Sequence, residues 1–211
     1  MKEKLIERKV TDLLSEISSS SPAPGGGSAS ALAGALGCAL LEMVCNLTIG
    51  KKKYQAHEEE VKGILAEAKE LKDRFLALVD EDSEAFNELF SFLKLKELTP
   101  EQEASMRRAE TRCIEVPKTT MRTALLAISL ASRLAPICNK NAISDVGCAI
   151  HSLRSAFFGA ELNVRINLFS KQNEELDAHL NELSKNRAEF EQVFQNALEP
   201  VLLELGMREG G

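Results

Sequence analysis

Apolar residues recur every three or four positions along most of the chain, and no stretch alternates apolar with polar long enough to make a strand. Leu5, Ile6, Val10, Leu13, Leu14 and Ile17 predict a first amphipathic helix. A breaker rich in Ser, Pro and Gly follows from Ser18 to Gly27. A second helix is predicted from about Ser28 to Ile49, with Gly50 as its terminator and Lys51, Lys52 and Lys53 just beyond. Ala29, Ala31, Ala33, Gly34, Ala35, Gly37, Cys38 and Ala39 follow closely in it, so backbones can approach from all sides. It should be central and buried.

The third segment, roughly Gln55 to Leu95, obeys a seven-residue repeat. One set of positions reads Val61, Ala68, Phe75, Asp82, Leu89 and the other Ile64, Leu71, Leu78, Ala85, Phe92. Nine of these ten are apolar, which marks the buried stripe, and the exception is Asp82. Thr99-Pro100-Glu101-Gln102 predicts a capped start for a fourth helix, which runs towards Ala135 with a kink expected at Pro117. After a break from Pro136 to Asn141, a fifth helix is predicted through about Phe169 and a sixth from near Asn173 to Gly206, with a frayed tail. No linker divides these segments, so residues 1–211 are expected to form one all-α domain, an elongated antiparallel helical bundle. The second and fifth helices are apolar on more than one face, and a homodimer would cover the surplus.

The composition agrees with a helical core, with no Trp, one Tyr and 44% hydrophobic residues in 211. With 26 Lys+Arg against 32 Asp+Glu and a net charge of −6, the chain lacks the basic excess of a nucleic-acid binder. Five cysteines and three isolated histidines form neither a zinc pattern nor a disulfide framework, so reduced thiols and no bound metal are expected. Cys38, Cys45 and Cys148 read as small core residues. Met1 to Lys9 has no apolar core like that of a signal peptide. Ala31 to Leu41, 11 residues before Glu42, is short of the roughly 20 that span a bilayer. A cytoplasmic protein without a membrane anchor is expected.

Four features could carry chemistry. Pro22 to Ser28 brings three glycines to a helix start, where free N–H groups can hold an anion or a carbonyl oxygen, unless the loop is only a connector. Asp82 on an apolar stripe either neutralises a buried cation or titrates near neutrality because burial raises its pKa, while Asp80, Glu81 and Glu84 are expected in solvent. Ser144 or Asp145 could cap the fifth helix, and Asn163 and Asn167, four apart, either cross-link helices or read an amide-like heterocycle. Lys51 to Lys53 suit a helix C-terminus, or a ligand with an acidic tail.

The order of these motifs resembles the cyclodeaminase domain of the formiminotransferase-cyclodeaminase family. The resemblance rests on Pro24-Gly25-Gly26-Gly27-Ser28, Met43-Val44, Asn46-Leu47-Thr48 and Gly50-Lys51-Lys52-Lys53-Tyr54. It continues through Asp80-x-Asp82-x-x-Ala85-Phe86, Val116-Pro117, Asn139-x-Asn141 with Ser144-Asp145, and Asn163-Val164 with Ile166-Asn167-Leu168. It implies an all-α homodimer or higher homo-oligomer acting on a tetrahydrofolate, with no metal or organic coenzyme and a separate formiminotransferase as supplier. On this resemblance Asp82 is the acid/base group and Asp145 a second carboxylate. Pro24, Gly25, Gly26, Gly27 and Ser28 would cradle the pterin or reacting amidine, with Asn141, Ser144, Asn163 and Asn167 also binding substrate. Lys51, Lys52 and Lys53 would meet the glutamate tail, which can be polyglutamylated. Formimidoyltetrahydrofolate cyclodeaminase is the first reading and methenyltetrahydrofolate cyclohydrolase the second. A non-catalytic helical interaction protein is the third; it requires a cation on Asp82 and no cavity beside the glycine loop.

Overall fold

The computed structural model describes residues 4–168 and 174–206, and the described residues are helices and their connections, with no strand among them. Six α-helices follow in order: α1 (Val10–Ile17), α2 (Gly26–Thr48), α3 (Glu58–Leu93), α4 (Pro100–Leu134), α5 (Ile143–Asn167) and α6 (Glu174–Glu204). Short 3-10 turns at Leu5–Glu7, Lys52–His57 and Lys140–Ala142 precede α1, α3 and α5. The expected ends at Phe169 and Asn173, and the tail after Gly206, lie outside the described residues.

Helices α2 to α5 form the bundle, with α2 between α3 and α5, and α4 closing the far side. Gly27 meets Asp82 and Gly34 meets Phe75, while Gly26 meets Asn163 and Gly37 meets Leu153, so α2 runs antiparallel to both neighbours. Helix α6 lies across α4 and α5. The stripe on α3 is as the heptads require: Val61, Ala68, Phe75, Ile64, Leu78 and Ala85 are buried. At α4, the Thr99 hydroxyl accepts from the Gln102 amide and the Gln102 side chain accepts from the Thr99 amide, a complete capping box. That helix continues through Pro117 to Leu134. Gly50 ends α2 at a φ of 76°, a conformation L side chains rarely adopt.

Several expectations need correction. The first helix is broken: Leu5–Glu7 is a 3-10 turn, α1 begins at Val10, and only Leu5 and Leu13 of the six apolar positions are buried. The Leu5 amide instead donates to Asp80 Oδ1 at 2.6 Å, anchoring the N-terminal segment on α3. Asp80 is therefore not simply solvated and Glu81 pairs with Arg74, whereas Glu84 is exposed as expected, in a surface pair with Arg112. Helix α2 starts at Gly26, two residues earlier than its composition suggested, because glycine can open a helix as well as precede one. It is buried against α3, α4 and α5 but not all round: Leu36 is 57% exposed. By length and composition α2 could cross a membrane, yet its one charged residue, Glu42, is buried in a pair with Lys72 at 2.7 Å. Cys148 is exposed, not core, whereas Cys38, Cys45, Cys113 and Cys138 are buried.

Candidate active site

Three helices meet where α2 begins. Residue Gly25 is the N-cap of α2 and contributes no side chain to its free amides. A carboxylate from α3 takes that place: Asp82 accepts hydrogen bonds from the Ser28 amide and, at 3.0 Å, from the Ser28 hydroxyl. A Cβ on Gly27 would lie 2.0 Å from Asp82 Oδ1, so only glycine lets the carboxylate sit against this turn. Around it opens a cleft of about 220 Å³, walled by the glycine turn, by Asp82 and Phe86 of α3, by Cys113 of α4, and by Asn163, Ile166 and Asn167 of α5.

Among the described residues no Lys or Arg forms an ion pair with Asp82, and the cleft wall holds no other titrating carboxylate, histidine or lysine. Burial pushes the Asp82 carboxyl above its ordinary range, against the opposing pull of the two Ser28 hydrogen bonds. A neighbouring hydroxyl network suits either protonation state. Ser28 Oγ lies 2.9 Å from the Val79 carbonyl and 3.0 Å from both Asp82 Oδ2 and Ser83 Oγ. With Asp82 ionised, Ser28 can donate to it; with Asp82 protonated, the carboxyl can donate to Ser28, which turns its hydrogen to Val79. Proton gain and loss therefore need no rearrangement of heavy atoms.

The two amides are held differently. Asn163 Nδ2 donates to the Gly159 carbonyl on its own helix at 2.8 Å, and Asn167 Nδ2 donates across to the Cys113 carbonyl at 2.7 Å. Asn167 thus does cross-link α5 to α4. Neither Oδ1 has a hydrogen-bond donor among the described residues, so both amides keep an acceptor for a ligand. The Cys113 thiol is pushed by burial up to about 11 and stays protonated at neutral pH, which makes it wall rather than nucleophile.

The structure divides the residues singled out in sequence into two groups. Gly25, Gly26, Gly27, Ser28, Asp82, Asn163 and Asn167 converge at the cleft. Pro24 lies on the outer side of the same turn, beside Asp80 and Ser83. Lys51, Lys52, Lys53, Asn141, Ser144 and Asp145 lie at the opposite end of α2, where Asn139 bonds Thr48 and Leu47 and Lys140 bonds Tyr54. The 23 residues of α2 separate the two ends by about 34 Å at the helical rise per residue. Within one protomer the three lysines therefore cannot touch a ligand seated beside Asp82, nor can Asp145 act as its second carboxylate. Sequence reasoning missed Cys113 as a wall residue. Two others carried a signal: Phe86 lies one turn after Asp82, and Ile166 one turn after Asn163.

The profile of the formiminotransferase-cyclodeaminase family matches residues 9–186, which include the cleft. Methenyltetrahydrofolate cyclohydrolase of Methylorubrum extorquens is 37% identical over 162 residues, 75% of this chain and 78% of that protein. Formimidoyltransferase-cyclodeaminase of Rattus norvegicus is 27% identical over 209 residues, 97% of this chain but 38% of that longer protein. The crystal structure of formiminotetrahydrofolate cyclodeaminase from Thermotoga maritima superposes with a TM-score of 0.85 at 28% identity, over 95% of this chain and 99% of that one. With a profile match over most of its length and an all-α bundle shared almost end to end, this chain belongs to the formiminotransferase-cyclodeaminase family.

Proposed function

We propose that this protein is a folate one-carbon enzyme, formimidoyltetrahydrofolate cyclodeaminase in the first instance, with Asp82 as its acid/base group. The observation that carries the reading is a half-buried carboxylate with no cation paired to it among the described residues. An unpaired anion in such a place is costly unless the ligand brings the opposite charge. The substrate's protonated formimino group and the methenyl product are both cationic at the bridge carbon. Family membership makes the folate the natural ligand.

One carboxylate suffices for the reaction. N10 attacks the formimino carbon on N5, and a C–N bond forms as the C=N pair moves to the outer nitrogen. Asp82 takes the proton from N10 and returns it to that outer nitrogen. Ammonia leaves, and the electrons of N5 and N10 close the methenyl bridge. The proton that is removed is the proton delivered, so no second titrating group is required. Glycine backbone at Gly25 to Gly27 admits the reacting edge closely, and the free Oδ1 atoms of Asn163 and Asn167 suit the N–H donors of the pterin. Phe86 offers an apolar wall to the ring. Holding N5 and N10 in ring-closing geometry supplies the remainder of the catalysis.

The 37% identity to a cyclohydrolase favours a second reading, in which water attacks the methenyl carbon and the same carboxylate moves its proton to the departing nitrogen. Supplying purified protein with each folate in turn separates them. Ammonia and methenyltetrahydrofolate formed from the formimidoyl substrate support the first reading. Accelerated opening of methenyltetrahydrofolate with no ammonia from the formimidoyl compound replaces it with the second. Inertness towards both leaves a non-catalytic helical protein.

We further propose turnover without a metal, since no three His, Cys, Asp or Glu side chains gather into a ligand set among the described residues. Prolonged dialysis against a strong chelator should leave kcat unchanged. A loss restored by zinc alone would refute it.

A further inference from the structure

A second cavity lies behind the glycine turn, parted from the cleft by two buried hydroxyls. It measures about 90 Å³, with Leu5 and Arg8 of the N-terminal segment, Pro24, and Asp80, Ser83 and Asn87 of α3 in its wall. At about 30 Å³ each, about three waters fit there. Ala23 belongs to both walls, so the partition is thin. Asp82 and Ser83 are consecutive on α3, and the turn of about 100° between helical neighbours sends the first to the cleft and the second to the outer cavity. Between them stands Ser28, whose Oγ lies 3.0 Å from Asp82 Oδ2 and 3.0 Å from Ser83 Oγ. The hydroxyls thus make an unbroken hydrogen-bonded line from the carboxylate to the outer cavity. In that cavity Asp80 Oδ2 is buried and has no hydrogen-bond partner among the described residues, while Oδ1 accepts from the Leu5 amide. The other charges there are Lys4, the Arg8–Glu16 pair and Glu84, which is held by Arg112. Capping the start of α2 requires Ser28 and Asp82 but no second hydroxyl, and alanine at position 83 would be the better helix former.

We propose that Ser28 and Ser83 form a proton relay through this wall, carrying the proton of Asp82 to the outer cavity while a folate fills the cleft. The relay rests on the folate reading above, and it serves the ring-opening reaction. There water attacks the methenyl carbon, a C–O bond forms, and the first proton of the water passes to Asp82. Asp82 gives that proton to N5 as the C–N5 bond breaks. The oxygen then loses its second proton to Asp82 as the formyl C=O forms. The folate has given up its positive charge, and one proton is left on the carboxyl. Ring closure with loss of ammonia leaves none, because the proton taken from N10 departs on the ammonia. To discharge the surplus, Asp82 passes it to Ser28 Oγ, Ser28 passes its own proton to Ser83, and Ser83 passes its own to water or to Asp80 Oδ2. Each hydroxyl gains a proton as it loses one, so neither serine becomes charged. The Val79 carbonyl, 2.9 Å from Ser28 Oγ, holds the hydroxyl between passages.

The test follows both reactions on the full chain and on two variants. The wild type should open methenyltetrahydrofolate, and Ser83→Ala should lower that kcat about tenfold at unchanged KM. The ratio of ring opening to deamination should fall by the same factor. With the exit gone, Asp82 must hand its proton to a buffer base reaching it through the cleft mouth. Ring opening by Ser83→Ala should therefore rise with buffer concentration, whereas that of the wild type should not. Ser83→Thr keeps a hydroxyl at the position, so it should restore the rate and remove the buffer dependence. Where the protein catalyses opening alone, the buffer response and the threonine rescue decide. Full opening activity in Ser83→Ala overturns the relay, and so does an equal loss in both reactions that buffer does not relieve, the mark of a merely weakened fold. A wild type that releases ammonia but leaves methenyltetrahydrofolate closed keeps the folate reading and removes the relay. Inertness towards both folates removes the reading, and the relay with it.

Discussion

Asp82→Asn is expected to lower kcat by about 10²-fold or more, the scale of acid/base catalysis, with little change in folate binding. The amide has the carboxylate's shape and still presents an oxygen to the Ser28 amide and hydroxyl, so the start of α2 stays capped. What disappears is the titrating group. Stability should move the opposite way from activity. Burial holds the folded-state pKa of Asp82 above its unfolded value, so the folded protein binds that proton more tightly. Ionising Asp82 therefore costs stability as pH rises through the raised pKa. Below the ordinary carboxylate range both forms are neutral, and the variant should melt with the wild type. Above the raised pKa the variant should melt at the higher temperature. Melts across that range, beside single-turnover rates, check both halves. A variant destabilised at neutral pH yet fully active per folded molecule would make Asp82 a structural cap and nothing more.

Most of the bundle was legible because its signals are local. The heptads on α3, the capping box at Thr99 and the positive φ at Gly50 each depend on neighbours within one or two turns. The N-terminal break was not legible, since Leu5 is tied down by Asp80, 75 residues away, rather than by the periodicity of its own segment. The open face of α2 was hidden for a related reason. A helix rich in Ala and Gly looks alike from every side, and only the placement of α3 and α5 decides which side is left over. Asp82 stood out because a charge on an apolar stripe is a contradiction that a sequence displays openly. Its relation to the other motifs was beyond reach. Gly26 and Asn163 are 137 positions apart in sequence and touch, whereas Ser28 and Lys51 are 23 apart and lie at opposite ends of a rod. Order along the chain grouped the motifs into one site; helix direction places them at two ends of α2.

Gly27→Ala should abolish turnover as fully as removing the carboxylate, while Gly34→Ala, two turns further along α2, should do the reverse. Both glycines face α3, but they meet different things there. The added methyl at Gly27 would lie 2.0, 2.5 and 2.7 Å from Oδ1, Cγ and Oδ2 of Asp82, the far end of a side chain bordering a cleft. Asp82 can rotate away at modest cost, and in doing so it leaves Ser28 and the reacting position. A loss in kcat of about 10²-fold with a small change in melting temperature is expected. At Gly34 the methyl would lie 2.3 to 2.6 Å from the Phe75 ring, which is fully buried and has nowhere to turn. Overpacking there should cost about 1–3 kcal/mol, only partly offset by the better helix propensity of Ala at about 1 kcal/mol. Each folded molecule of Gly34→Ala should retain its activity, since Phe75 lies two turns from Asp82 on the core side of α3. Thermal melts and kcat on the two variants give a crossed result if the carboxylate must sit against the glycine turn to work. An active Gly27→Ala enzyme would show that Asp82 performs its chemistry, or none, from some other position.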